Sequence, residues 1–209
     1  VHNMTFVVSK GPVGTQPIAS TSTSQKQALG TIVQADDPTY GSGEFIYLKG
    51  LDSTVVGSWV TYNPDDFSTA LLAANAIGPV ALAMSICVTG EYGWYQIHGK
   101  GVGKVLALFA DNANCYATGT AGSADDSVVA GDLVKNAKGA SAIDTPSTGL
   151  AEIELYRPFM DDGLTAYCAP GKPLETLQRD SEGQNSIRIS DAPMTAIEDG
   201  SKAVLRAWE

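Results

Sequence analysis

Only two histidines occur, His2 and His98. Histidine-dependent catalysis therefore falls to His98, which a nucleophilic triad would need beside a serine and an aspartate. A multi-histidine metal centre cannot be assembled within one chain. The G-x-S-x-G elbow that would present an esterase nucleophile is missing. Four Asp-Asp pairs, Asp36-Asp37, Asp65-Asp66, Asp125-Asp126 and Asp161-Asp162, offer paired carboxylates for acid–base work or Ca²⁺. Each lies beside Pro, Gly, Ser or Asn, where aspartate favours turns, and none has the alternating spacing of an EF-hand loop. The run Gly99-Lys100-Gly101-Val102-Gly103-Lys104 has the glycines and lysine of a phosphate loop. Val105 stands where Ser or Thr should follow, and the flanks read as strand rather than helix. Trp94, Gln96 and His98 would share one face of a strand, with Tyr95 and Ile97 on the other. The cluster Tyr92, Trp94 and Tyr95 suits a sugar-stacking platform or a packed core.

Charge narrows the partners. Thirteen basic residues against 23 acidic ones give a net charge of −10, with no basic run. This opposes binding to nucleic acid, whose affinity rests on neutralising phosphates. No uninterrupted apolar stretch is long enough to span a membrane; the most apolar run, Leu71 to Val88, is broken by Asn75, Gly78 and Pro79. Val1-His2-Asn3-Met4 has neither the basic region nor the apolar core of a signal peptide. Cys87, Cys115 and Cys168 are odd in number, far apart and form no C-x-x-C motif. They read as reduced, buried thiols, consistent with a reducing cytoplasm. No cofactor is expected.

The elements that must position these residues are short. Residues 1–30 are rich in Ser, Thr, Gln, Gly and Pro, and 16–27 have little hydrophobic periodicity. They are expected to form an extended arm that orders on a partner. Residues 31–169 break into short β-branched and aromatic runs punctuated by Gly, at roughly ten-residue spacing, the pattern of an all-β sandwich or small barrel. Expected strands include 30–35, 44–49, 57–62, 78–84, 92–98, 102–110, 114–118, 131–134 and 151–156. Gly99 to Gly101 read as a turn, and Ala70 to Ala76 as a possible helical turn. Pro170-Gly171-Lys172-Pro173 marks a break. Residues 170–209 form a C-terminal extension, with strand at 186–190 and a docking segment at Ala203 to Trp208.

The runs Thr21 to Val33, Asp37 to Gly50 and Gly93 to Gly101 resemble virion structural proteins of tailed bacteriophages, podovirus-like in type. Ala121 to Ala142 is similar to the Gly- and Ala-rich β-modules of capsid decoration, or cement, proteins. The resemblance covers roughly residues 16–165 and carries no catalytic signature. It implies a non-enzymatic virion protein on the outer surface of the expanded head, made in the host bacterial cytoplasm. Its partners would be the major capsid protein and itself, as a homotrimer or a homodimer.

The residues expected at the shell are Lys10, Ile18, Lys26 and Gln27 from the arm, with Tyr40 and Phe45 near a strand edge. Deletion of residues 1–27 is expected to abolish head binding while leaving the body folded. Two rival functions stand beside this one. A phage-associated carbohydrate-binding adhesin would use Trp94 and Tyr95, and a hydrolase would use His98.

Overall fold

Branched and aromatic residues alternate with polar ones along short runs, so the chain closes its backbone hydrogen bonds between strands rather than within helices. The computed structural model describes residues 5–161 and, in the tail, the strands at 177–179 and 185–187. The first eleven strands are β1 (Val7–Lys10), β2 (Ile32–Asp37), β3 (Gly41–Lys49), β4 (Trp59–Tyr62), β5 (Thr69–Leu71), β6 (Gly78–Ala83), β7 (Tyr92–Lys104), β8 (Asn114–Ala117), β9 (Ala124–Asp125), β10 (Leu133–Gly139) and β11 (Leu150–Met160). They form one antiparallel sheet in the order β1-β2-β3-β7-β6-β11-β10-β8-β9, with β4 beside β6 and β5 beside β4. The protein is all-β, as its sequence predicts, and the described residues contain no helix. The barrel closure expected as one option does not occur: the sheet is open.

The sheet hangs on β7. Along one edge β7 pairs with β3, from Glu44↔His98 to Lys49↔Tyr92. Along the other it pairs first with β6, at Leu82↔Gln96, and then with β11, from Tyr156↔His98 to Leu150↔Lys104. Its first half is buried on both faces. Trp94 packs with Phe45, Tyr47 and Val33, whereas Tyr95 and Ile97 pack with Ile46, Leu48, Val60 and Ala81. A third cluster, including Trp59, Leu82, Phe109, Ile153 and Leu155, fills the space between β4, β6, β8, β10 and β11.

The turn expected at Gly99 to Gly101 is instead a bend inside the continuous 13-residue strand β7. Gln96 Nε2 donates to the carbonyls of His98 and Lys100, both at 3.1 Å, and so ties down its own strand. Gly101 leaves the space that Gln96 Oε1 fills, and a Cβ on Gly99 (φ +91°) would collide with the Ser42 carbonyl. These glycines serve close approach. The segment at Ala70 to Ala76 is the end of β5 followed by a turn, not helix.

The N-terminal segment is ordered by the body itself. Val7 to Lys10 pair with β2 through a bulge. Ile18 and Phe6 are buried in the cluster around Trp94. The Gln16 carbonyl accepts a 2.9 Å bond from the Trp94 indole, and Gln16 Oε1 accepts one from the Tyr47 hydroxyl at 3.2 Å. Ser22 and Tyr92 exchange backbone bonds. A few apolar and amide anchors thus replace the partner that the sequence suggested this segment needs.

The chain divides into two compact units, Val1–Gly163 and Leu164–Glu209. In the second, β12 (Leu177–Arg179) and β13 (Asn185–Ile187) pair antiparallel. The expected docking segment Ala203 to Trp208 lies outside the described residues.

Two predictions follow from this packing. Deletion of residues 1–27 will destabilise the body, contrary to the expectation from sequence. Loss of the buried Ile18 side chain alone (Ile18→Ala) costs about 2–4 kcal/mol. A urea titration followed by tryptophan emission will show a lower midpoint for both variants, and a midpoint unchanged by the deletion would disprove the anchoring. Gly101→Ala will force Gln96 out of its place and cost about 1–3 kcal/mol. The paired variant Gly101→Ala/Gln96→Ala will recover part of the loss in the same titration.

Candidate interaction surface

The residues with chemical potential are used structurally. His98 lies opposite Glu44 on β3 and Tyr156 on β11. Its ring meets the Tyr156 ring edge-on, with centroids 5.4 Å apart, so its neighbours are a carboxylate and a phenol rather than the serine and aspartate of a triad. The phosphate-loop look-alike is strand, and its backbone from Gly99 to Lys104 is committed to pairing with β11. Trp94 and Tyr95 are completely buried. Neither can present a ring to a sugar, and the adhesin built on them loses its platform.

The described Asp-Asp residues lie at strand ends, as Asp36-Asp37 and Asp125 do, or in turns, as Asp65-Asp66 does. Buried Asp37 accepts the N–H groups of Thr39 (2.7 Å), Tyr40 (3.0 Å) and Thr5 (2.7 Å), joining the β2–β3 turn to the N-terminal segment. Asp66 accepts both the N–H and the hydroxyl of Ser68, and these bonds hold its carboxyl below the usual range. Asp126 accepts the N–H of Ala110 at 2.9 Å. Asp161 pairs with Lys135, and Asp162 lies outside the described residues.

The residues expected at the shell divide sharply. Lys10 and Lys26 are exposed, and Gln27 is half-buried with its amide donating to the Gly14 carbonyl at 3.2 Å. Ile18, Tyr40 and Phe45, in contrast, are core residues. Phe45 packs edge-to-face on Phe6, with centroids 4.8 Å apart. Burial, aided by the charges of Glu152 and Asp37, pushes the Tyr40 hydroxyl up to about 12. The strand β3 is not an edge, since it lies between β2 and β7, and the N-terminal residues Phe6 and Ile18 share one cluster with Tyr40 and Phe45. These three side chains cannot contact a partner while the body is folded.

Other side chains take the exposed positions. The pairing of β11 with β10 is irregular between Leu155 and Phe159; there Tyr156 and Arg157 both face solvent, and Arg157 (φ +54°) reaches Glu44 at 2.7 Å. Among the large apolar side chains of the described residues, Val13, Leu108 and Val128 are the most exposed, at 105%, 88% and 79%. Val128 falls in the stretch that resembles decoration proteins, whereas nothing in the sequence marks Val13 or Leu108. Leu108 in particular falls in a run, Val102 to Ala110, that reads as a plain strand. A shallow depression of about 300 Å³ between β4–β5 and the start of β6, lined in part by Tyr62, Asn63 and Pro79, is open to solvent.

The thiols that the structure describes are inert by position. Cys87 and Cys115 are buried and unpaired. Burial pushes Cys87 up to about 11, with the charge of Glu91 adding to the rise. Burial, with the charge of Asp126, pushes Cys115 to about 12.

Compared with protein-family models, curated proteins and solved structures, the chain matches none.

Because only the thiolate reacts, both cysteines will resist iodoacetamide at pH 8 in the native protein and react fully in urea. Peptide-resolved mass spectrometry checks this site by site. Rapid native labelling of Cys115 would contradict its place in the core.

Proposed function

We propose that this chain is a structural virion protein that binds the outer surface of an expanded bacteriophage head and cements adjacent capsid subunits, without catalysis. The resemblance of residues 16–165 to decoration proteins supplies the setting. The observation that carries the reading is a surface suited to adhesion on a body locked from within. Large apolar side chains stand out at Val13, Leu108, Val128 and Tyr156 on a chain with only 17% charged residues. Such side chains favour contact with other protein where they gather on one surface. The net charge of −10 favours the exterior of a shell over the packaged DNA within it.

The role asks for rigidity, and the fold supports it. A cement must carry load between subunits, and a sheet whose central strand is packed on both faces deforms little. Many identical copies on a symmetric shell gain further from avidity if the protein associates with itself as a trimer or dimer.

Purified protein is expected to co-sediment with expanded, DNA-free heads, saturably and at a copy number set by the local symmetry sites, and not with unexpanded shells. Absence of binding to both shells would refute the cement function.

A further inference from the structure

The geometry points to the loop tip at Leu108, with Val128 and Val129 on the adjoining loop, as an apolar knob that seats in a recess of the capsid surface rimmed by lysine and arginine. This rests on the head-binding reading above and gives it a location.

Leu106 to Phe109 form a turn closed by Phe109 N–H donating to the Leu106 carbonyl at 3.3 Å. Leu108 occupies its third position with φ +74°, which glycine or asparagine takes without penalty and a leucine takes only under strain. The conformation has a structural purpose, since it turns the chain so that Phe109 enters the core. The leucine itself has none there, because its side chain is 88% exposed. It is thus unfavourable twice, in its backbone and in its hydration. The neighbouring turn shows the ordinary solution. Asp132 N–H closes on the Val129 carbonyl, and Gly131 sits at the third position with φ +88°. A strained residue that its own fold does not use is a reason to look for an external one.

The two loops are held together. Val105 bridges Ala124, Leu106 N–H donates to the Ala124 carbonyl at 2.9 Å, and the Asp126 carboxylate takes the Ala110 N–H. Val128 (79% exposed) and Val129 therefore share a framework with Leu108. Charge defines the occupant. From Val105 to Val134 the chain has no lysine or arginine and four aspartates, Asp111, Asp125, Asp126 and Asp132. Apolar tips beside exposed Asp111 and half-buried Asp125 and Asp126, with Asp132 buried, complement an apolar recess with a basic rim. The same acidity repels an anionic lipid surface.

The test uses Leu108→Asn and Leu108→Gly on the full chain, with Ile86→Asn as an exposed apolar control, in co-sedimentation with expanded heads and in thermal melts. Both Leu108 variants are expected to keep or raise Tm, by up to about 2–4 °C, while head affinity falls roughly tenfold or more. Ile86→Asn should bind like wild type. A Leu108 variant that binds as tightly as wild type overturns the knob and leaves head binding intact. A clear drop in Tm makes Leu108 a structural residue and also overturns it. Failure of wild type itself to bind heads overturns both proposals. Leu108-dependent binding to phosphatidylcholine vesicles, with none to heads, would assign the tip to a lipid surface instead.

Discussion

One side-chain amide governs the middle of this molecule. Gln96 spends both of its N–H groups on carbonyls of its own strand, at His98 and Lys100, and its oxygen fills the volume that Gly101 leaves. The bend so fixed lets β7 serve β3 on one side and both β6 and β11 on the other. It helps a single strand keep register with three neighbours, where a slip of one residue would exchange the faces of every side chain. Trp94, Tyr95 and Ile97 depend on that register to reach their separate clusters. A buried polar group is costly unless it is hydrogen-bonded: the Gln96 nitrogen is bonded twice, while its oxygen is buried without a partner.

The N-terminal segment follows from the same centre. Trp94 and Tyr47 bring polar atoms into an apolar cluster, and such atoms need partners. Gln16 supplies both, through its backbone carbonyl and its side-chain oxygen. A region of low hydrophobicity is thereby recruited as the polar lining of a core. Its surface role shrinks to the positions that remain outside, such as Lys10, Val13 and Lys26.

Much of the fold was legible in the sequence and most of the surface was not. The strands of β2, β3, β4, β6, β8 and β11 stand near where alternation and glycine punctuation put them, since both reflect backbone geometry directly. The bend in β7 reads as a turn in the sequence because glycine marks turns and close approaches alike, and only the position of Gln96 tells them apart. Ile18 and Phe6 are isolated apolar residues among polar ones, so no periodicity announces that they anchor their segment. Leu108 was hidden for the opposite reason: a turn without Gly, Asn or Pro looks like uninterrupted strand. Exposure at a loop tip depends on which neighbours fail to cover it, and that is a property of the whole fold.

The strand order also sets when the body can exist during synthesis. β11 ends at Met160 and is the neighbour of β7, β6 and β10, so the centre of the sheet is incomplete until nearly the whole first unit has left the ribosome. Pairings this distant in sequence form slowly, because chain closure precedes any gain from packing. The nascent chain must carry unpaired strands and an uncovered Trp94 face through most of its translation, which makes this a late-folding protein exposed to aggregation until β11 closes the sheet.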